Sequence, residues 1–162
     1  MGVNKERPHV YVLPEDDANR QLAKGFQLQV DQNERQMQVL RPAGGWNNVL
    51  SLFDLVHVRE MERCPNRLMV LLIDFDGHEE RLKDAKAVIP NHLKDRVFII
   101  GVWTEPEALK ADLGEYEKIG LAMADDCREE TDTAWGHDLL RHNASEIGRL
   151  RERVRPILFQ SI

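Results

Sequence analysis

Leu68-Met69-Val70-Leu71-Leu72-Ile73 is an unbroken apolar run that ends in Asp74-Phe75-Asp76-Gly77. A run of this length without Gly or Pro reads as a strand buried on both faces, which requires helices above and below it. The carboxylates then lie at the strand's carboxyl end, where ligands bind in open α/β sheets. Alternate strand residues point the same way, so Asp74 and Asp76 are expected to present their oxygens to one hard cation.

The rest of the chain supplies the partners such a strand needs. After a polar tail over residues 1–8, expected to be loose, His9 to Leu13 forms a short strand that ends at Pro14-Glu15-Asp16-Asp17. The three acids favour the positive end of a helix, and Ala18, Leu22, Phe26 and Val30 follow as one apolar stripe. Gln36 to Leu40 is a weaker strand, followed by the turn Pro42-Ala43-Gly44-Gly45, whose glycines allow close backbone approach. Val49, Leu52, Phe53 and Val56 define the face of the next helix. Beyond the acidic strand, Leu82, Ala85 and Ile89 mark a helix that Pro90 ends, and Arg96 to Trp103 is a further buried β-rich run. Helices are then expected over Pro106–Leu113, closed by Gly114, over Tyr116–Cys127, and over His137–Val154, stopping at Pro156. Alternation of this kind predicts an α/β fold of Rossmann type: a mainly parallel central sheet of about four strands with helices on both faces. At 162 residues and 42% hydrophobic, the chain suits a single domain, 1–162, with a core at 9–113 and a helical C-terminal extension at 115–158.

A net charge of -6 opposes a polyanion, so any nucleic-acid contact must use a local patch, a metal or a partner. Cys64 and Cys127 lack CxxC spacing and no signal region precedes the first strand, so reduced thiols and a cytoplasmic location are expected. No stretch approaches the length of a membrane span.

In a parallel sheet Glu15, Asp74 and Asp76 all reach one edge. Two aspartates can hold Mg²⁺ while it keeps waters for a phosphate oxygen, and a nearby glutamate can exchange a proton during phosphoryl transfer. The alternative is that these acids are solvated turn residues, which are common where strands give way to loops.

Glu15 after the first strand, Gly44-Gly45-Trp46-Asn47 after the second and Asp74-Phe75-Asp76 after the third resemble, in order and spacing, the Toprim domain of topoisomerases, primases and overcoming-lysogenization-defect nucleases. The resemblance covers about residues 9 to 113. It implies a metal-dependent phosphodiester site, with Mg²⁺ or Mn²⁺ held by Asp74 and Asp76 and Glu15 as acid/base residue. Trp103 to Leu113 is similar to a segment of small stand-alone Toprim-like proteins, which adds Glu105 and Glu107 to Asp16 as candidate accessory acids. The family glutamate is usually followed by glycine, where this chain has Asp16. The only tyrosines, Tyr11 and Tyr116, lie in an expected strand and helix, so strand passage by a tyrosine nucleophile is not expected.

Cys127, His137 and His142 are zinc-ligand types at irregular spacing, and the histidines are not an i, i+4 pair. Arg149, Arg151, Arg153 and Arg155 are two apart, so they cannot form one stripe and are expected to pair with Glu146 and Glu152. Arg81 and Lys83 read as a solvated helix face, and Trp46, Trp103 and Trp135 as core or rim anchors. Three functions remain in view: a Mg²⁺-dependent phosphodiesterase acting on nucleic acid, helped by a basic or ATPase partner; a regulatory or interaction domain with little catalysis, suggested by Asp16; and a receiver-like phosphoacceptor. Against the last, a receiver carries a lysine after a later strand, and Val102-Trp103-Thr104 offers none.

Overall fold

The computed structural model describes residues 2–30 and 35–159. Its centre is the apolar run. β1 (His9–Pro14), β2 (Met37–Val39), β3 (Arg67–Leu72) and β4 (Val97–Ile100) form one parallel sheet in the order β2-β1-β3-β4. β3 is buried along its whole length. Leu68, Val70 and Leu72 pack on one face with residues from α1 (Asp17–Gln27), α5 (Pro106–Leu113), α6 (Tyr116–Glu129) and α7 (Ala144–Leu158). Met69, Leu71 and Ile73 pack on the other, against Val49, Phe53, Met61 and Ala85. Those residues come from α2 (Trp46–Leu52), the π-helical turn Phe53–His57, α3 (Val58–Arg63) and α4 (Glu80–Val88). The fold is therefore α/β and Rossmann-like, with helices on both faces of the sheet. Among the described residues, no helix is long and apolar enough to cross a membrane.

Two devices hold the layer around β1 and β4. α1 crosses α6 with backbone against backbone: a Cβ on Gly25 would run into the Glu117 carbonyl, and one on Gly120 into that of Leu22. β4 is an edge strand, and α7 with the turn before it occupies its free groups. Ile99 N–H donates to Glu146 Oε2 at 3.1 Å, Gly101 N–H donates to Asn143 Oδ1 at 3.1 Å, and Asn143 Nδ2 donates to the Gly101 carbonyl at 2.9 Å. Glu146 is buried because Lys86 (2.7 Å) and Arg149 (3.1 Å) neutralise it.

Several elements depart from the sequence reading. The first residues are tied down: Asn4 N–H donates to the Arg35 carbonyl at 3.0 Å and Asn66 Nδ2 to that of Glu6 at 3.2 Å. α1 ends at Gln27, so Val30 is buried from the turn beyond it. Leu52 and Val56 are exposed, since the π turn inserts a residue and passes the buried face from Phe53 toward Val58 and Met61. Ile89 is extended and follows α4 instead of belonging to it. The last helix begins at Ala144, after turns that include a 3₁₀ segment at Arg141–Asn143. It also runs through Pro156, because a proline removes only one N–H and the buried Leu158 and Phe159 anchor the final turn. Of the basic ladder only Arg149 pairs with Glu146. Arg151, Arg153 and Arg155 instead reach Asp132, the Asp95 carbonyl and Glu130 on neighbouring segments.

Gly120→Ala should cost about 2–4 kcal/mol, since backbone on both sides leaves the new methyl no room to relax. Urea denaturation checks this, with Gly148→Ala, inside α7 and facing open space, as the control expected to gain about 0.5–1 kcal/mol from helix propensity.

Candidate metal centre at the switch point of the sheet

The chain leaves β1 for β2 on one side and returns to β3 on the other, so the topological switch point lies between the carboxyl ends of β1 and β3. Glu15 extends β1, its N–H donating to the Leu72 carbonyl at 2.8 Å. Its carbonyl accepts Gly44 N–H at 2.9 Å and Gly45 N–H at 3.2 Å; the turn needs glycine for its φ of 89° and 133° and not for close approach, since a Cβ at either position would meet no crowding. Asp16 caps α1, Asp16 Oδ1 accepting Asn19 N–H at 3.1 Å. At φ -140° and ψ -174° its backbone is extended, so no glycine is required after Glu15.

Asp74 closes the group from β3. Its N–H donates to Glu15 Oε1 at 2.9 Å, and Asp74 Oδ1 accepts Asn19 Nδ2 at 3.0 Å. One carboxylate oxygen from each of Glu15, Asp16 and Asp74 lies within 4.8 Å of the others, and no other such group of three metal-ligand types occurs among the described residues. The nearby arginines pair elsewhere, Arg20 with Asp17 at 3.9 Å and Arg81 with Asp76 at 3.0 Å. Burial and then the charges of Glu15, Asp16, Asp76 and Glu107 push the Asp74 carboxyl up to about 8. Burial also raises Glu15, partly offset by the hydrogen bond from Asp74 N–H.

Asp76 stays outside this group. β-type pairing continues as far as Phe75 N–H, which donates to the Val102 carbonyl at 3.0 Å, but Asp76 turns to φ 48° and Gly77 to φ 72°. The alternation that would align Asp76 with Asp74 ends at that turn, and Asp76 Oδ2 meets Arg81. Arg81 is correspondingly no solvated residue. It donates to the Asp74 carbonyl at 2.7 Å and stacks 4.8 Å over the Trp46 ring. Glu105 is the exposed N-cap of α5. Glu107, also exposed, acts on Asp74 through its charge without joining the cluster.

The zinc-type residues do not assemble. His137 Nε2 pairs with Asp112 at 2.9 Å, His142 lies edge-on to Phe75, and burial pushes the free Cys127 thiol up to about 11. Cys64 is likewise a free thiol. Trp135 is core, its Nε1–H donating to the Met123 carbonyl at 3.1 Å.

Asn19 was absent from the sequence reading. It is fully buried, and its Oδ1 has no hydrogen-bond partner. A polar residue beside the apolar Leu22 stripe, three after the N-cap Asp16, was the available signal. No protein-family model matches the sequence, and no curated protein matches it.

The donor set suits a hard divalent cation. It is all oxygen, anionic, free of ion pairs to described residues, and spaced so that small rotations bring ligands to about 2.1 Å from Mg²⁺. Without metal the same cluster is a cost. An acid whose folded pKa is raised binds more protons folded than unfolded, so its effect on stability is absent below the unfolded value near 4 and worsens as pH rises toward 8. In metal-free buffer, Asp74→Asn should therefore stabilise the protein by about 1–3 kcal/mol at pH 9, with the gain shrinking toward pH 5. Melting curves at several pH values check this, and a variant less stable than wild type at pH 9 would contradict it.

Proposed function

We propose that this protein carries out Mg²⁺- or Mn²⁺-dependent hydrolysis or transfer of phosphodiesters in nucleic acid at the Glu15–Asp16–Asp74 cluster. The observation that carries the reading is the convergence of three carboxylates, one of them almost fully buried, at the switch point of the sheet, where the nearby described arginines, Arg20 and Arg81, pair with Asp17 and Asp76 instead. The Toprim resemblance adds the reaction class. Asp74 and Asp16 hold the ion, which supplies charge neutralisation of a phosphoryl oxygen and a positioned water. Glu15 exchanges the proton. Burial lifts its carboxyl toward the working range of an acid/base group, and Asp74 N–H fixes its orientation through Oε1. Arg81 locks the loop that carries Asp74. The net charge of -6 leaves little electrostatic attraction for a polyanion, so a basic or ATPase partner completes substrate capture.

A second reading, a metal-responsive interaction domain with little turnover, is favoured by one observation. Asp76, the second expected ligand, is committed to Arg81.

Purified protein should nick DNA or RNA in Mg²⁺ or Mn²⁺ and stop in EDTA. Asp74→Ala should abolish the reaction, and Glu15→Gln should slow it about 10²–10⁴-fold while metal binding persists. Asp76→Ala should have a smaller effect, since it acts through Arg81. Cleavage that survives EDTA or Asp74→Ala defeats the proposal. Metal binding with no cleavage, even with partner supplied, selects the interaction domain.

A further inference from the structure

Beside the acidic loop, on the other face of the same sheet edge, lies a cavity of about 560 Å³ that the reaction above does not use. Its walls are Phe75, Leu82, Trp103 and His142. Phe75 and Trp103 are near-parallel, with centroids 6.3 Å apart and planes at 25°, and the His142 ring lies 5.2 Å from Trp103. Both His142 nitrogens are buried without a well-formed hydrogen bond, the Gly101 carbonyl being only a weak polar neighbour. The mouth is polar: Glu79 is exposed there, and Arg141 and Asp138 form an exposed pair at 3.2 Å. The volume is that of a small-molecule site, and aromatic walls with a few polar groups at the rim match a planar heterocycle carrying a polar, charged tail.

The cavity is fixed to the acidic loop by backbone. Gly77 N–H donates to the Trp103 carbonyl at 2.7 Å and Asp76 N–H to that of Thr104 at 3.2 Å. Phe75 itself sits between the two aspartates. A nucleotide laid across the edge of the sheet thus meets carboxylates on one face and, on the other, an aromatic wall of Trp103 and His142 backed by the buried Phe75.

We propose that the Trp103–His142 cavity binds a nucleobase of the substrate strand, stacked on the Trp103 indole with the His142 ring, tilted 56° to that indole, against the edge of the base, and with Arg141 released from Asp138 to meet the ribose phosphate. The inference rests on the phosphodiester reading and names its substrate: a single-stranded or flipped-out nucleotide, since a base within a duplex cannot enter. It also makes Trp103 and His142 binding residues distinct from the acids.

The test is NMR titration in EDTA with adenosine 5′-monophosphate, inorganic phosphate and N-acetyltyrosinamide, following the Trp103 indole, assigned with Trp103→Phe, and the His142 ring. The mononucleotide should shift both signals at millimolar concentration, whereas phosphate alone should not, and the tyrosine analogue should bind more weakly. With folding confirmed by melting, Trp103→Leu should weaken binding about 5- to 150-fold, the range for losing one stacking platform, and His142→Ala should weaken it by a smaller factor. No shift with the mononucleotide, unchanged affinity in both pocket variants, or equally tight binding of phosphate or the tyrosine analogue would overturn the proposal. Cleavage without mononucleotide binding removes the pocket alone, and mononucleotide binding without cleavage removes the reaction alone.

Discussion

Asp74 is a buried carboxyl held among acids, and its carboxylate receives a hydrogen bond but forms no ion pair with a described residue, the nearby Arg81 being paired with Asp76. Asn19 donates to one oxygen, Arg81 takes the backbone carbonyl, and Glu15 and Asp16 add negative charge. Such a group either keeps a proton, as a carboxyl pushed up to about 8 does at neutral pH, or meets a cation. The surrounding structure holds the carboxyl in this position and determines which ions can reach it.

That position follows from packing. The run from Leu68 to Ile73 can be buried on both faces only if helices cover both, and in the order β2-β1-β3-β4 the reversal of direction after β2 puts α1 on one face and α2 and α3 on the other. The glycine contact between α1 and α6 seats α1 against the sheet, which aims the N-cap Asp16 and the buried Asn19 at the end of β3. At the outer edge, Asn143 and Glu146 close β4 against further strand pairing. They also hold the segment that carries His142 over the end of the sheet, and so build the aromatic cavity next to the acids.

The strands, the acidic turn and the parallel architecture were legible in the sequence because each depends on a local pattern: apolar runs, a helix cap, a glycine turn. Glu15 and Asp74 were legible as a pair for the same reason. Asp16 was expected only as an accessory acid, yet its capping geometry turns it into the cluster. Asp76 and Arg81 were misplaced because the two-residue alternation holds only while the backbone stays extended, and a positive φ at Asp76 breaks it. The π turn after Leu52 escaped detection in the same way, since one inserted residue shifts a helical face that sequence spacing alone treats as continuous. Long-range partners such as Asn19 with Asp74 leave little local trace.

The most direct measurement is anomalous diffraction from crystals soaked in Mn²⁺ above pH 8, where Asp74 gives up its proton even without metal. One strong peak is expected at about 2.2 Å from oxygens of Asp74 and Asp16, with Glu15 beside it and Asp76 still on Arg81. Crystals that diffract equally well but show no peak among these three carboxylates, or a peak held by Asp76 away from Asp74, would contradict it.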